Sequence, residues 1–276
     1  MPLRHDNPVT PLGDDRRRRL VAIRAARLVA EIIALMVILQ LYKLVRRTFV
    51  QRGEEVAFAN ADQIMRWETR LGIDIELGFQ RAVIEHEWLI RLLNRDYAYF
   101  MWTFYVCAGI AFLLARRAYP RLRGLFIASS LIALPWYALY PLAPPRFLTD
   151  RGFIDTLAVY GPNYFSNTGL VKANQFAAMP SMHIGWTIVA ALMLAAALPR
   201  WRLGPILGTL HVGLMCVVVV ATGNHFVLDI VGGAAVVAAA LFAVRLMSSR
   251  VRRKRAVLDE QNVSKRHQPI DMRSSA

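Results

Sequence analysis

Two histidines, His183 and His225, are the residues whose type and spacing point most directly to chemistry. Each lies at the start of an apolar segment. The chain between them is long enough for about two passes of a bilayer, since roughly 20 residues cross one hydrocarbon core. We therefore expect both histidines at the same membrane face. Asp229 follows His225 by four residues, so a helix would let its carboxylate hold one imidazole nitrogen and leave the other free to attack.

An interfacial role is the alternative for either histidine alone, because polar residues are common at the ends of membrane helices. The pair is harder to explain in that way. Two histidines at one depth, with an aspartate one helical turn after His225, are costly to keep in a membrane without a use. The combination of His183, His225 and Asp229 therefore favours a functional site.

The composition excludes an ordinary soluble domain. Hydrophobic residues make up 56% of the 276 residues, and the mean hydropathy is +0.35. The net charge is +15, but the basic residues flank apolar segments and no aromatic-basic platform for single strands is present. We therefore expect anionic lipid head groups as partners, and no nucleic acid. Cys107 and Cys216 lie inside apolar runs, which predicts neither a disulfide nor metal ligation by them.

The hydropathy pattern predicts an all-α polytopic membrane protein with six transmembrane helices. Residues 1–20 are predicted to be a disordered basic cytoplasmic tail, residues 21–247 a six-helix membrane catalytic domain, and residues 248–276 a second basic cytoplasmic tail. The predicted spans are residues 21–45, 97–114, 125–142, 181–198, 205–221 and 226–246.

Residues 46–96, between the first two spans, are mixed in charge and amphipathic. They hold eight Arg against nine Asp and Glu, with apolar residues at helical spacing. Amphipathic helices lying on the membrane surface fit this pattern. A small helical cap outside the membrane is the alternative. In both arrangements the segment would lie near the active face and shape substrate access.

The distribution of Lys and Arg predicts the orientation. The amino-terminal and carboxy-terminal segments hold seven and nine, and the connections after the second and fourth spans hold four and two. The loop 143–180 holds three, and the last two spans have none between them. Because short cytoplasmic segments are enriched in Lys and Arg, both termini are predicted to be cytoplasmic. His183, His225 and Asp229 would then face the extracytoplasmic side of the cell membrane.

Several motifs resemble those of the type 2 phosphatidic acid phosphatase superfamily. Residues 180–183, Pro-Ser-Met-His, match its Pro-Ser-x-His motif, and residues 225–229 match its His-x-x-x-Asp motif. The Ala-Pro-Pro-Arg turn at 143–146 and the Ala-Met-Pro-Ser-Met-His string at 178–183 are more similar to the inositol phosphorylceramide synthase, or inositolphosphotransferase-like, branch. The string W-E-x-x-L-G-I at 67–73 resembles the upstream region of bacterial members.

The resemblance implies a lipid phosphotransferase or phosphatase. In that reaction His225 attacks phosphorus to give a phosphohistidine, Asp229 fixes its tautomer, and His183 protonates the departing oxygen, as the residue types also indicate. Arg146 and the helix start at Ser181 would bind the non-bridging oxygens. An interfacial anchor is the alternative role for Arg146. No metal and no other cofactor are expected.

The chain departs from the superfamily pattern in its cations. Leu139 stands where the Lys-x6-Arg-Pro motif has its lysine, and Phe147 replaces the proline. The arginine of the third motif is replaced by Val219. Phosphate binding therefore cannot use the usual three cations, and we predict Lys172 and Asn224 as substitutes.

Other functions stay open from the sequence alone. A bis-histidine haem protein would use His183 and His225 as axial ligands but would leave Arg146 and Ser181 without a role. A proton-coupled transporter could use the relay of His225 and Asp229, yet the spans offer few polar residues at mid-membrane depth. Within the enzyme interpretation, hydrolysis and transfer to an alcohol share every residue up to the phosphohistidine. The acceptor, the lipid and the oligomeric state are therefore left open.

Overall fold

The fold is helical. The computed structural model describes residues 12–49, 53–162 and 175–266, and within these ranges there are nine α-helices and no β-strand. The predicted all-α class is therefore confirmed for the described part of the chain. The helices are α1 Leu12–Phe49, α2 Glu54–Leu71, α3 Glu76–Ile84, α4 Glu87–Leu114, α5 Tyr119–Leu139, α6 Thr156–Tyr160, α7 Met182–Ala197, α8 Leu203–Ala221 and α9 Val227–Arg266.

Five of the described helices, namely α1, α4, α5, α8 and α9, contain a segment long and apolar enough to cross a bilayer. The helix α7 is also apolar but has 16 residues. One crossing takes roughly 20 residues, so length alone does not establish the sixth predicted span. The chain is thus a multi-pass membrane protein with five candidate spans and one shorter apolar helix.

The first and last helices are longer than the predicted spans. Helix α1 begins at Leu12, inside the segment predicted to be disordered, and residues 15–20 are exposed along it. Helix α9 continues to Arg266, through much of the predicted basic tail. Arginine is a good helix former and no proline interrupts α1. The basic ends can therefore extend helices whose apolar parts lie further inside the chain.

The helices α2 and α3 occupy the segment between the first two spans. Gly72 ends α2 in a left-handed conformation, with φ of 67°. Its amide and that of Ile73 bond the carbonyl oxygens of Thr69 and Glu68 at 3.1 and 3.0 Å, which closes the helix end. The chain turns sharply here, and both Glu68 and Glu76 become buried.

The short helix α7 lies among α4, α5, α8 and α9. Two glycines allow its close packing. A Cβ added at Gly208 of α8 would lie 2.8 Å from the Cβ of Ala191, and one at Gly233 of α9 would overlap the backbone oxygen of Ser181. Small residues at such crossings let backbones approach closely. The approach at Gly233 brings together the starts of α7 and α9, near which His183 and His225 lie.

Candidate active site

His183, His225 and Asp229 form a continuous chain of contacts. His225 Nδ1 lies 3.3 Å from Asp229 Oδ2, and His225 Nε2 lies 3.3 Å from His183 Nδ1. His225 is 4% exposed and Asp229 is fully buried. The structure thus brings together the three residues that the sequence analysis selected for catalysis.

The turn before α9 fixes the backbone of His225. The amides of Asn224 and His225 donate to the carbonyl oxygen of Val219 at 3.0 and 3.1 Å. Gly223 has a φ of 65°, and its carbonyl oxygen accepts from the amide of Arg146 at 2.7 Å. Because glycine adopts this left-handed conformation readily, the turn forms without strain. The imidazole therefore projects from a backbone that other elements hold in place.

Asp229 orients the imidazole and is itself held. Its Oδ2 faces His225 Nδ1 and also accepts from the amide of Phe226 at 3.0 Å. Its carbonyl oxygen accepts from the amide of Ser181 at 3.0 Å, which ties the start of α7 to the first turn of α9. An ionised carboxylate favours the tautomer with the proton on Nδ1. The lone pair of His225 then resides on Nε2, on the side of His183.

His183 is held between two aromatic rings of α4. The Tyr97 ring stacks on it with centroids 4.1 Å apart and an angle of 22°, and the Phe100 ring lies 4.2 Å away, tilted by 45°. The sequence analysis did not select Tyr97 or Phe100. Their spacing of three residues, which places them on one helix face, was the available signal.

Ser181 acts within the protein as the N-cap of α7. It is fully buried, and its Oγ accepts from the amide of Ile184 at 3.5 Å. The preceding peptide, Met179–Pro180, is cis. The Ser181 amide is engaged by Asp229, and Ser181 is not among the described residues that line the cavity. The geometry therefore does not favour the predicted phosphate contact by Ser181 itself.

Arg146 is buried beside the catalytic turn, at 2% exposure. Its Nη1 donates to Asp155 Oδ2 at 2.7 Å, and its guanidinium carbon lies 4.1 Å from the centroid of the Phe147 ring. The 3-10 turn Pro145–Phe147 contains it, and its amide bonds Gly223. An interfacial anchor would keep its charge in the head-group region, so this burial disfavours the anchoring role.

One open cavity connects the predicted residues. Arg146, His183, Asn224 and His225 all line it. Lys172 lies outside the described residues. Four of the predicted site residues thus face a single space, which is the arrangement that an active site requires.

Comparison with known proteins supplies the family. The profile of the PAP2 superfamily matches residues 62–243, well over half of the chain. This protein belongs to the PAP2 superfamily. The matched residues include the second half of α2, all of α3 to α8 and the first part of α9. They contain every described residue that lines the cavity except those on α1.

A curated relative supports the resemblance to the inositol phosphorylceramide synthase branch. Phosphoinositol dihydroceramide synthase from Bacteroides thetaiotaomicron is 24% identical over an alignment of 166 positions, which covers 54% of this chain and 53% of that protein. This chain therefore spans about half the length of that relative. The resemblance to the inositol phosphorylceramide synthase-like branch of the PAP2 superfamily is confirmed. No solved structure matches the chain.

Lys43 is a cation near the site that the sequence analysis did not select. It lines the same cavity as Arg146 and His183, although it belongs to α1. The neighbouring Tyr42 is 5% exposed and packs edge-on against Trp186, with centroids 5.1 Å apart. No local spacing connects α1 to the catalytic motifs of the PAP2 superfamily. A lysine in the last, apolar part of the first predicted span was the available signal.

Two buried glutamates contact the first turn of α9. Glu76 Oε1 accepts from the amide of Val227 at 2.8 Å, and Glu68 Oε1 accepts from the amide of Leu228 at 2.7 Å. Burial raises the pKa of Glu68 to about 9 and also raises the pKa of Glu76. The sequence analysis included Glu68 only as part of the string W-E-x-x-L-G-I, without a role, and it did not select Glu76.

The histidine geometry does not suit a bis-histidine haem. Metal–imidazole bonds of about 2 Å would place the two ligating nitrogens about 4 Å apart, with a flat macrocycle between them. His225 Nε2 and His183 Nδ1 are in direct contact at 3.3 Å. In the described part of the chain, no three His, Cys, Asp or Glu side chains converge as a metal site would need.

Gly233→Ala is expected to lower both stability and turnover. The added Cβ would overlap the backbone oxygen of Ser181, which cannot move without shifting the start of α7. Overpacking of this kind typically costs about 1 to 3 kcal/mol, and the displaced His183 should reduce turnover at least about tenfold. Thermal unfolding and turnover of the purified variant measure the two effects.

Gly213→Ala on α8 is the matched control for Gly233→Ala. No atom lies within 4 Å of a Cβ at Gly213, so the substitution should keep activity and gain up to about 1 kcal/mol of helix propensity. If both variants behave alike, the close approach of α7 and α9 at Gly233 is not important.

Proposed function

We propose that this protein is an integral-membrane lipid phosphotransferase or phosphatase that works through a phosphohistidine on His225 and needs no metal. The observation that carries the proposal is the contact chain from Asp229 through His225 to His183, beside a cavity that also contains Arg146. Membership in the PAP2 superfamily supports the reaction class.

The first half of the proposed reaction forms the phosphoenzyme. His225 Nε2 attacks phosphorus from the cavity, and the N–P bond forms as the P–O bond to the leaving alcohol breaks. The bonding electrons remain on the oxygen, which takes a proton from His183. Asp229 stabilises the positive charge of the substituted imidazole. A phosphoryl group bound at Nε2 takes the place of the direct contact between the two histidines.

The second half transfers the group to an acceptor. An alcohol or a water molecule attacks phosphorus while His183 removes its proton, and the N–P bond breaks to return the lone pair to His225 Nε2. The same two histidines thus serve both halves, and the proton taken by one leaving group is replaced by the proton of the acceptor.

Arg146 and Lys43 are the cations that we propose for the non-bridging oxygens. Arg146 Nη1 donates to Asp155 Oδ2 at 2.7 Å, so the aspartate offsets part of the arginine's positive charge. A second cation would therefore bind an anionic substrate more strongly than Arg146 alone. Lys43 lines the same cavity, and it does not belong to any of the superfamily motifs. Asn224, at the cavity wall, and Lys172 stay as proposed additional contacts.

We favour transfer of a substituted phosphate to a lipid alcohol, in an inositolphosphotransferase-like reaction. The relative from Bacteroides thetaiotaomicron is a phosphoinositol dihydroceramide synthase. The cavity of this chain is lined by aromatic and apolar residues as well as by its cations, which suits a substrate with both a head group and a lipid part. Hydrolysis to water is the second candidate, because it uses the same residues.

The deciding experiment supplies purified protein in lipid nanodiscs with phosphatidylinositol labelled in its phosphoinositol group, and with ceramide or a diacylglycerol. We expect a labelled, acid-labile phosphoenzyme, then a new labelled lipid, at rates that EDTA does not change. Release of inositol phosphate without a new lipid would indicate hydrolysis. Absence of a phosphoenzyme, or activity lost with EDTA and restored by Mg²⁺, would contradict the proposed mechanism.

For the topology, we propose six spans with α7 as the shortest, α2 and α3 at the extracytoplasmic interface, and both termini in the cytoplasm of the cell. Two single cysteines test this in a variant lacking Cys107 and Cys216. Asp150→Cys lies in the exposed turn beside the cavity and Arg117→Cys between α4 and α5. In intact cells, a membrane-impermeant maleimide should label position 150 and spare position 117. The reverse pattern would place the active site in the cytoplasm.

A further inference from the structure

The first turn of α9 is capped by three carboxyl groups. The amides of residues 226, 227 and 228 donate in order to Asp229 Oδ2 at 3.0 Å, Glu76 Oε1 at 2.8 Å and Glu68 Oε1 at 2.7 Å. The first amides of a helix have no partner within the helix, and one capping side chain is the usual solution. Here three consecutive amides each have a carboxyl acceptor, and two of the acceptors come from other helices.

The string W-E-x-x-L-G-I creates this arrangement. Glu68 belongs to the last turn of α2, and the left-handed Gly72 reverses the chain so that Glu76 can begin α3 beside it. Their exposures are 0% and 3%. Burying two neighbouring acids is costly unless hydrogen bonds and a retained proton offset the charge. Packing of α2 and α3 alone would be served as well by leucine, so the two acids indicate another role.

Charge explains why the pair can lie so close to the nucleophile. Burial raises the pKa of both glutamates, that of Glu68 to about 9, so the pair retains a proton near neutral pH. With a proton retained, the caps hold the helix without adding two full negative charges beside Asp229, whose Oδ2 contacts His225 Nδ1.

We propose that Glu68 and Glu76 are a positioning pair for the nucleophile. They fix the first turn of α9, so that Asp229 and His225 keep Nε2 directed into the cavity. Neither glutamate is among the described residues that line the cavity, so they act through the turn and not on the substrate. The inference rests on the proposed function, because its kinetic readout is the formation of the phosphoenzyme.

Leucine and glutamine substitutions separate the positioning role from packing. Glu68→Leu and Glu76→Leu remove the acceptor, whereas Glu68→Gln and Glu76→Gln keep a neutral acceptor of the same size. We expect the leucine variants to lower kcat about ten- to a hundredfold with KM within about twofold of wild type, since the cations of the cavity are unchanged. The glutamine variants should restore kcat to within about threefold of wild type.

Glu31→Leu is the matched control. Glu31 is a partly buried acid of α1 that pairs with Arg123 at 3.1 Å and accepts from Tyr119, and it does not line the cavity. Its removal should keep kcat at the wild-type value. If all five variants change thermal stability alone and keep kcat per folded molecule, the glutamates are merely structural and the proposal is wrong. Glutamine variants that are as slow as the leucine variants would overturn it too.

Hydrogen exchange tests the cap without any turnover. In Glu68→Leu and Glu76→Leu, the peptide covering residues 226–229 should exchange at least about tenfold faster, while Glu31→Leu leaves it protected. Unchanged exchange in the leucine variants would overturn the cap directly. If the wild-type protein forms no phosphoenzyme, the proposed function fails, and the exchange result still decides whether the two glutamates hold this turn.

Discussion

His225→Ala should abolish formation of the phosphoenzyme and lower turnover by about 10⁴-fold or more, because it removes the atom that attacks phosphorus. Asp229→Asn should lose a similar factor, since an amide no longer selects the tautomer with its lone pair on Nε2. Both variants should fold, because the backbone of the turn is held by Val219 and Arg146 and not by the imidazole. A single turnover with labelled lipid, quenched in alkaline detergent so that phosphohistidine survives, measures the effect on the chemical step.

The control for this experiment is His211→Ala. His211 is a partly buried histidine of α8 that does not line the cavity, so its loss should leave the single-turnover rate close to wild type. A folded His225→Ala protein that forms the labelled phosphoenzyme at the wild-type rate would show that another residue is the nucleophile. Retained activity in Asp229→Asn would show that the carboxylate is not needed to orient His225. It would leave the assignment of His225 as nucleophile intact.

The proposed catalytic residues could be selected from the sequence because the signals that point to them are local. Asp229 lies one helical turn after His225, and the length of chain between the two histidines requires a return to the same membrane face. The apolar segments likewise predict the five helices that are long enough to span. The sixth span stays a prediction, since an apolar run with proline before it and after it yields a helix of only 16 residues.

The supporting residues were not predictable because their partners are distant in sequence. Glu68 meets the amide of Leu228 across 160 positions, and Lys43 reaches the cavity from a helix outside the matched family profile. No spacing rule for a single helix connects such residues. For Ser181 the helix start suggested an open phosphate site, but its amide already bonds Asp229, a contact that only the crossing of α7 and α9 reveals.

His183→Ala should impair catalysis in a way that depends on the leaving group. His183 Nδ1 lies 3.3 Å from the proposed nucleophilic nitrogen and is held by the rings of Tyr97 and Phe100, so it can protonate the departing oxygen. With an alkyl alcohol as leaving group, loss of a general acid should cost about 10²- to 10⁴-fold in single-turnover rate.

With a nitrophenyl ester of the same phosphoryl group, the departing oxygen needs no proton, and the loss from His183→Ala should fall below about tenfold. The control is His225→Ala, which removes the nucleophile and should be inactive with both esters. Rates of phosphoenzyme formation on the paired substrates measure the difference. If His183→Ala slowed both esters equally, the residue would serve to bind the phosphoryl group, and the proton would have to come from elsewhere in the cavity.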